Sequence, residues 1–248
     1  MPVAARTITR LAAASSLVIA ASAGAQTTYY GQNNGGTANA AITTARNNFL
    51  AALSSGVGTE TFEAIAGGTV APIALTFPGA GTATLTGSGQ VNTTENSGAG
   101  PVSGSRYYFV SSSTGNEFTV NFSAPVAAFS FFGTDLGDNE SNLSLRFIRT
   151  VGAPLDVAVP YNVNAPGGDL ASGNLLFFGF IDAANPFTSV QFISSGSGDF
   201  FGFDDLTIGS VAQVVNPPSS TVPEPGTYAL LATGLLGIGA VARRRSRG

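Results

Sequence analysis

The sequence predicts an all-β fold, a jelly-roll-like β-sandwich with one short helix at its N-terminal side. Between residues 59 and 208, short apolar or alternating runs are separated by Gly, Ser, Asn and Pro. Runs of this length bounded by turn residues are typical of strands in an antiparallel sandwich. Apolar residues recur with a helical period at residues 37–53, and this pattern predicts the helix.

Residues 26–58 are predicted to form an N-terminal segment that contains this helix. Residues 27–36 are polar and rich in glycine, so we expect them to be flexible. In residues 37–53 apolar side chains recur at helical spacing, and Gly56 can end the helix. The apolar positions are Ile42, Ala45, Phe49, Ala52 and Leu53. We expect this face to pack on the sandwich.

The sandwich domain is predicted for residues 59–210. Alternation of apolar and polar residues at 142–148 indicates a strand with one buried face. Residues 127–132 and 175–180 are nearly all apolar, as expected of central strands. The predicted strands are 59–65, 71–77, 82–86, 107–110, 117–122, 126–132, 142–148, 175–181, 189–193 and 201–208. The long polar loops are 87–104 and 160–174.

The last predicted strand changes its apolar parity at two adjacent aspartates, Asp204 and Asp205. Before them Phe201 and Phe203 share one strand face. After them the apolar residues, Leu206 and Ile208, have the opposite parity. A β-bulge at the aspartates would bring all four apolar side chains to one buried face and re-aim a carboxylate.

Residues 1–25 have the three parts of a cleavable secretory signal peptide. Two arginines give a positive start, residues 11–21 are apolar, and Ala23-Gly24-Ala25 forms a small-residue cleavage site. The pattern predicts export, with Gln26 as the first residue of the mature protein.

Residues 222–248 contain a rigid turn, an apolar run and a basic end. Pro223 and Pro225 fix φ and lack a donor, so a regular strand or helix cannot continue through them. Residues 227–242 carry no charge and predict a single membrane helix, although roughly 20 residues are usual for a span. The positive-inside rule places the basic end in the cytoplasm. Its residues are Arg243, Arg244, Arg245 and Arg247. A Pro/Ser linker at 211–221 precedes this tail.

The chain between the two targeting segments is strongly acidic. Residues 26–221 hold 13 acidic side chains, four arginines and no lysine, a net charge of −9. This charge argues against nucleic acid and anionic lipid as partners and is compatible with divalent cations. Cys, His and Trp are absent, which excludes Ser-His-Asp and Cys-His nucleophile systems and His/Cys zinc sites.

The C-terminal tail resembles a known targeting signal. Val222-Pro223-Glu224-Pro225, the apolar run and the cluster Arg243-Arg244-Arg245 resemble the PEP-CTERM protein-sorting signal of Gram-negative bacteria, a tail also catalogued as the C-terminal domain of an ice-binding protein. The resemblance implies an exosortase, a membrane cysteine protease, as partner. By analogy with a GPI signal, the chain would be anchored transiently in the inner membrane and processed near Pro-Glu-Pro. The cell surface or the extracellular space is then its destination.

The body of the chain also resembles known domains. Its β-rich segments are similar to the extracellular domain that often accompanies PEP-CTERM tails. A Phe-Glu pair in the first strand and an Asp-Asp pair in the last resemble jelly-roll sugar-binding modules. That second resemblance implies a structural Ca²⁺ held by Glu63 and by Asp204 or Asp205, with carbonyls or water completing its six to eight oxygens. The alternative is that these acids end turns and stay solvated.

Two further groups of residues have side chains that could bind a ligand. Residues 134–140 carry alternating oxygen side chains but lack the spacing of an EF-hand loop, which favours a plain polar turn. Tyr107, Tyr108 and Tyr161 would stack on sugar rings if exposed, whereas in strands such aromatic residues are commonly half-buried.

Three hypotheses on function follow. The first is a secreted, non-enzymatic protein sorted by an exosortase-type system, acting as a structural or adhesive component of extracellular matrix or biofilm. The second is a calcium-dependent carbohydrate-binding module, with extracellular polysaccharide as partner. The third is a hydrolase with a carboxylate pair. Apart from the calcium ion, no cofactor is expected.

Overall fold

The structure, a computed structural model, describes residues 26–54, 56–137, 142–160 and 173–215. It confirms the predicted all-β class. Two antiparallel sheets pack face to face, and one helix, α1 (Ala40–Ala51), lies outside them. The strands are β1 (Thr27–Asn33), β2 (Thr59–Glu60), β3 (Ile73–Phe77), β4 (Gly81–Gly87), β5 (Gln90–Asn92), β6 (Tyr107–Ser111), β7 (Gly115–Val126), β8 (Ala128–Thr134), β9 (Leu143–Arg149), β10 (Leu155–Ala158), β11 (Leu175–Ile181), β12 (Phe187–Ser194) and β13 (Phe200–Gly209).

The strand order defines a first and a second sheet. The first sheet runs β1–β11–β8–β13–β6–β5, and β2 pairs with the C-terminal half of β13. The second sheet runs β10–β9–β12–β7–β4–β3. Most neighbours in space are distant in sequence, so the two sheets form one cooperative unit rather than a row of hairpins.

An aromatic core fills the space between the sheets. Sixteen of the 18 phenylalanine side chains are buried. Rings from opposite sheets meet at short range, with a centroid distance of 4.3 Å between Phe147 and Phe180 and of 5.0 Å between Phe118 and Phe203. Tilted and edge-on ring contacts of this kind stabilise a core beyond the area they bury.

Helix α1 covers the outer face of the first sheet, as its apolar spacing predicts. The Asn39 side chain caps it by accepting a hydrogen bond from the Ile42 amide at 3.0 Å, a common helix start. Phe49 is fully buried against β11, where Gly179 has no Cβ to obstruct its ring. Strands β8 and β11 are therefore buried on both faces, which explains their nearly continuous apolar sequences.

Residues 27–36 do not form the flexible stretch that their polarity predicts. Residues 27–33 are β1, and each pairs with a residue of β11. An edge strand can be polar because one of its edges and part of its side chains remain in water, while its amides complete the ladder of the buried neighbour.

One predicted strand is much shorter than expected, and two observed strands have no predicted counterpart. Within residues 59–65 only Thr59 and Glu60 form a strand, because the chain turns at Phe62, which has φ of 60°. Strand β5 lies inside the predicted polar loop 87–104, and β10 lies in a stretch without a predicted strand. Both are short edge strands with a weak apolar pattern.

The predicted β-bulge in the last strand is confirmed. Asp204 pairs with Phe132 and Thr207 with Ser130, so β13 has one extra residue, and Asp205 has φ of 49°. All four apolar residues flanking the bulge belong to the core between the sheets. They are Phe201, Phe203, Leu206 and Ile208.

The chain leaves the sandwich through a fixed exit. After β13 comes a short 3₁₀ turn, Val211–Gln213, whose Gln213 carbonyl accepts a hydrogen bond from the Ser54 amide at 2.7 Å. Two residues later the Val215 amide donates to the Ala52 carbonyl at 2.9 Å. The end of the described chain is thus attached to the C-terminal end of α1.

Candidate functional site

The carboxylate of Asp204, one of the three predicted calcium ligands, holds a surface loop. Its side chain is completely buried. Oδ2 accepts hydrogen bonds from the amides of Val102 and Ser103 at 2.8 and 3.0 Å. Oδ1 accepts from the Asp205 amide at 2.7 Å. The bulge thereby aims this carboxylate away from the core and at the loop above the outer face of the first sheet.

The other two predicted ligands bind the same loop. Asp205 Oδ1 accepts a hydrogen bond from the Ser103 hydroxyl at 2.6 Å. Glu63 Oε1 accepts from the amides of Ser105 and Arg106 at 2.7 and 2.6 Å. We call residues 102–106 the carboxylate-held loop, because carboxylates from two distant parts of the chain accept four of its backbone N–H groups.

The pKa values of the two main carboxyl groups that hold this loop, those of Asp204 and Glu63, are shifted in opposite directions. Removal of water raises the pKa of Asp204 to about 7, an effect increased by the neighbouring Asp205 and opposed by the amides of Ser103 and Val102. At the exposed end, the Ser105 amide lowers the pKa of Glu63, and the Arg106 amide and charge add to this. One loop is therefore held by a carboxyl group that titrates near neutrality and by a carboxylate that stays ionised.

These residues are brought together around a loop and not around a common centre. Among the residues that the structure describes, no three Asp, Glu, His or Cys side chains form a group that could hold a metal ion. The amides that point at Asp204 and Glu63 also occupy the oxygen positions that a cation needs. Calcium binding by Glu63, Asp204 and Asp205 remains a prediction.

In residues 134–140, the second acidic stretch, only the first part is described. Asp135 is buried with φ of 63°, and its Oδ1 accepts a hydrogen bond from the Gly173 amide at 2.6 Å. Residues 138–141 lie outside the described residues. The described part of this stretch therefore links the turn after β8 to the loop before β11, as expected of a turn with a structural role.

Of the three tyrosines that are candidates for stacking on sugar rings, the two that the structure describes are buried. Tyr107 and Tyr108 have no exposed side-chain surface. The Tyr107 hydroxyl lies 2.9 Å from the carbonyl oxygens of both Thr94 and Ala99, which share its one O–H donor. These rings cannot present a face to a ligand, and Tyr161 lies outside the described residues.

Both targeting segments also lie outside the described residues. In the part of the chain that is described, no helix combines the length and the hydropathy needed to cross a membrane. The predicted membrane helix at 227–242 and the predicted signal peptide at 1–25 are not covered by this result.

Residues 221–245 match the family model of the PEP-CTERM protein-sorting motif. The match includes the predicted sorting residues at both of its ends, from Val222 to Pro225 and from Arg243 to Arg245. The resemblance of the tail is thus confirmed over the segment that carried it.

No curated protein matches this chain. Three solved structures are distantly similar. The K2 cleaved adhesin domain of Lys-gingipain is 10% identical over 62% of this chain and 98% of that chain, with a TM-score of 0.40. A xylan-binding domain from carbohydrate-binding module family 22 is 14% identical over 65% and 99%, with a TM-score of 0.37. The C-terminal family 22 module of Clostridium thermocellum Xyn10B is 14% identical over 64% and 94%, with a TM-score of 0.36. Similarity at this level carries no information on ligands.

Proposed function

We propose that this chain, which carries a PEP-CTERM sorting motif at residues 221–245, is exported and sorted to the cell surface by an exosortase-type membrane protease. There it acts as a non-enzymatic structural or adhesive component of the extracellular matrix. The motif is the observation on which the proposal depends, because it specifies both a destination and a processing partner.

The exit of the chain from the sandwich supports this arrangement. The described chain ends at Val215, whose amide is hydrogen-bonded to the Ala52 carbonyl, and the matched motif begins at residue 221. Eleven residues, 216–226, separate Val215 from the predicted membrane helix, and they span at most about 40 Å when extended. A folded domain would therefore be tethered near the membrane before processing and would be released intact by a cut near Pro223–Pro225.

The use of the acidic residues supports a non-enzymatic role. A glycoside hydrolase needs two carboxyl groups that face each other across an open cleft, roughly 5–10 Å apart. Asp204 is sealed under the carboxylate-held loop, and Glu63 is bonded to two amides of that loop. These two groups maintain the structure of the loop, so the hydrolase hypothesis has no support from them.

The sorting proposal is tested by replacing Pro223, Glu224 and Pro225 with alanine in the full chain. We expect an uncleaved form that remains in the membrane fraction, since the Pro-Glu-Pro part of the sorting motif is removed. The matched control is Pro217→Ala with Pro218→Ala, which changes two prolines outside the motif and should be processed normally. The measurement is immunoblotting of membrane, surface and medium fractions; identical processing of both variants would contradict the proposal.

A further inference from the structure

A polar cleft of about 370 Å³ opens beside β5, at the edge of the first sheet. Its wall is formed by side chains of β5 and of the segment that follows. The polar side chains that line it are those of Gln90, Asn92, Thr93, Thr94, Glu95 and Asn96. Three of these six side chains end in a carboxamide. A volume of this size is within the range of small-ligand sites.

The wall of the cleft is fixed by hydrogen bonds. Gln90 Nε2 donates to Asn92 Oδ1 at 2.7 Å. The backbone behind the cleft is held by the Tyr107 hydroxyl, which shares its one O–H donor between the carbonyls of Thr94 and Ala99. Groups held in this way lose little conformational freedom on binding.

Two phenylalanine rings that do not themselves line the cleft lie on the sheet face from which Gln90 projects. Of the 18 phenylalanines, Phe109 and Phe200 alone are not buried. Their rings stack on each other, with centroids 5.7 Å apart and planes inclined by 17°. Phe109 is the cross-strand partner of Gln90, and directly opposed residues project from the same face of a sheet. The ring pair therefore lies on the same sheet face as the carboxamide of Gln90.

This combination defines the chemistry of a ligand. A carboxamide both donates and accepts hydrogen bonds, which suits a hydroxyl group. A half-exposed aromatic ring favours an apolar surface over water, and the C–H face of a pyranose ring is such a surface. Glu95 is the one charged side chain among those that line the cleft, and the body of the chain carries a net charge of −9. An uncharged saccharide fits these groups, whereas an anionic polymer is repelled.

We propose that the cleft beside β5, together with the Phe109–Phe200 ring pair, binds a neutral polysaccharide. The carboxamides of Gln90 and Asn92 bond its hydroxyl groups, and the rings contact its apolar face. This rests on the proposed function, since it names the matrix component to which a surface protein of this kind would adhere. The proposed site does not use Glu63, Asp204 or Asp205, so it does not depend on calcium.

The test is affinity electrophoresis of the protein recovered from the surface or medium fraction, in gels that contain soluble neutral polysaccharides of glucan, galactan or xylan type. We expect retardation of the unaltered protein by at least one of them. The double variant Gln90→Ala, Asn92→Ala should raise Kd about tenfold or more, because two hydrogen-bonding groups are lost. Phe200→Leu should also weaken binding, since it keeps apolar volume and removes the flat ring face.

The matched control is the double variant Gln191→Ala, Asn121→Ala. It removes the same two side-chain types from the outer face of the second sheet and should leave Kd unchanged within about twofold. Circular dichroism spectra establish that each variant is folded.

Three results would overturn the proposal: no retardation by any neutral polysaccharide, equal weakening by the control variant, or retardation by an anionic polysaccharide alone. Addition of EDTA should not alter Kd. Failure here would leave the fractionation result for the sorting motif intact, so the two proposals can fail separately.

Discussion

The outer faces of the two sheets contrast sharply. On the first sheet, α1 covers β8 and β11, which form a second apolar cluster with Phe49 and Val102. The carboxylate-held loop lies over Asp204 of β13. On the second sheet, Thr76, Thr82 and Thr84 point into solvent, and Asn121 is the cross-strand partner of Thr84.

This contrast shows that the periodicity of apolar residues in a strand reports whether one or both of its faces are buried. Strands of the second sheet alternate, as in β3 and β9, because one face meets water. Strands β8 and β11 do not alternate, because each is buried on both faces. An unbroken apolar strand therefore indicates a third layer, here the helix, and not simply a central position in a sandwich.

The largest difference between the two faces is expected from Phe49→Ala. The ring is fully buried between α1 and the first sheet and has its edge toward Tyr29 and Phe177. Its removal should lower the free energy of unfolding by about 3–5 kcal/mol. Thr84→Ala on the open face should change it by less than about 0.5 kcal/mol. Urea unfolding measures both, and similar losses would show that the outer faces do not differ.

The second-largest expected effect is a difference in the free energy of unfolding between variants of Asp204 and Glu63, the two side chains whose carboxyl groups accept the backbone hydrogen bonds of the carboxylate-held loop. Asp204→Ala leaves the amides of Val102 and Ser103 without their acceptor in a buried position, and should cost about 2–4 kcal/mol at mildly acidic pH. Glu63→Ala acts at the exposed end, where water replaces the carboxylate, and should have no measurable effect on unfolding. Hydrogen exchange at residues 102–106 is the second measurement. Rapid exchange in the Glu63 variant but not in the Asp204 variant would reverse the assignment.

Stability should also depend on pH through Asp204. Its folded-state pKa, about 7, is above the ordinary value of 3.8, so the folded protein holds a proton that the unfolded chain has lost. Stability is then greatest below about pH 4 for this group and falls as the pH rises to about 7, by on the order of 4 kcal/mol. Burial also raises the pKa of Glu117, which adds a change of the same sign.

The control for this pH dependence is Asp204→Asn. This variant should reduce the slope of the free energy of unfolding against pH without abolishing it. Urea midpoints measured between about pH 4 and 8 give the slope for both proteins. An unaltered slope in the variant would assign the effect to Glu117 or to other groups.

Calcium should give the smallest effect. A site saturated a hundredfold above its Kd would add about 2.7 kcal/mol, but an ion at Glu63, Asp204 and Asp205 must displace amides that already bond two of these side chains. We therefore expect a smaller rise in melting temperature with calcium than that energy implies, and we expect Glu63→Gln to remove it. Equal midpoints in EDTA and in millimolar calcium would eliminate the calcium hypothesis.

Sequence patterns were sufficient where the signal is local. The spacing of Ile42, Ala45 and Phe49 predicts α1, and the change of parity at Asp204 and Asp205 predicts the bulge, because each depends on neighbours along the chain. The tail is also local, since its order of turn, apolar run and arginines lies within residues 222–248.

The remaining features depend on partners that are far apart in sequence. Strand β1 is polar, and only its pairing with β11 makes it a strand. The common target of Glu63 and Asp204 lies about 40 and 100 residues away from them, and no spacing rule relates these positions. Phe109 and Phe200 are indistinguishable in sequence from the 16 buried phenylalanines, so their exposure follows from the fold alone.

The fixed exit of the chain at Ser54 and Ala52 has a mechanical consequence. Strand β13 lies inside the first sheet, with β8 on one side and β6 and β2 on the other. A pull on the chain beyond residue 215 first meets the hydrogen bonds of Gln213 and Val215 with the end of α1. Once these bonds break, the force acts along β13, whose hydrogen bonds to the neighbouring strands are perpendicular to the strand. They are then strained in parallel by shear instead of opening one after another, so the domain resists tension best in the direction from which a C-terminal attachment would pull it.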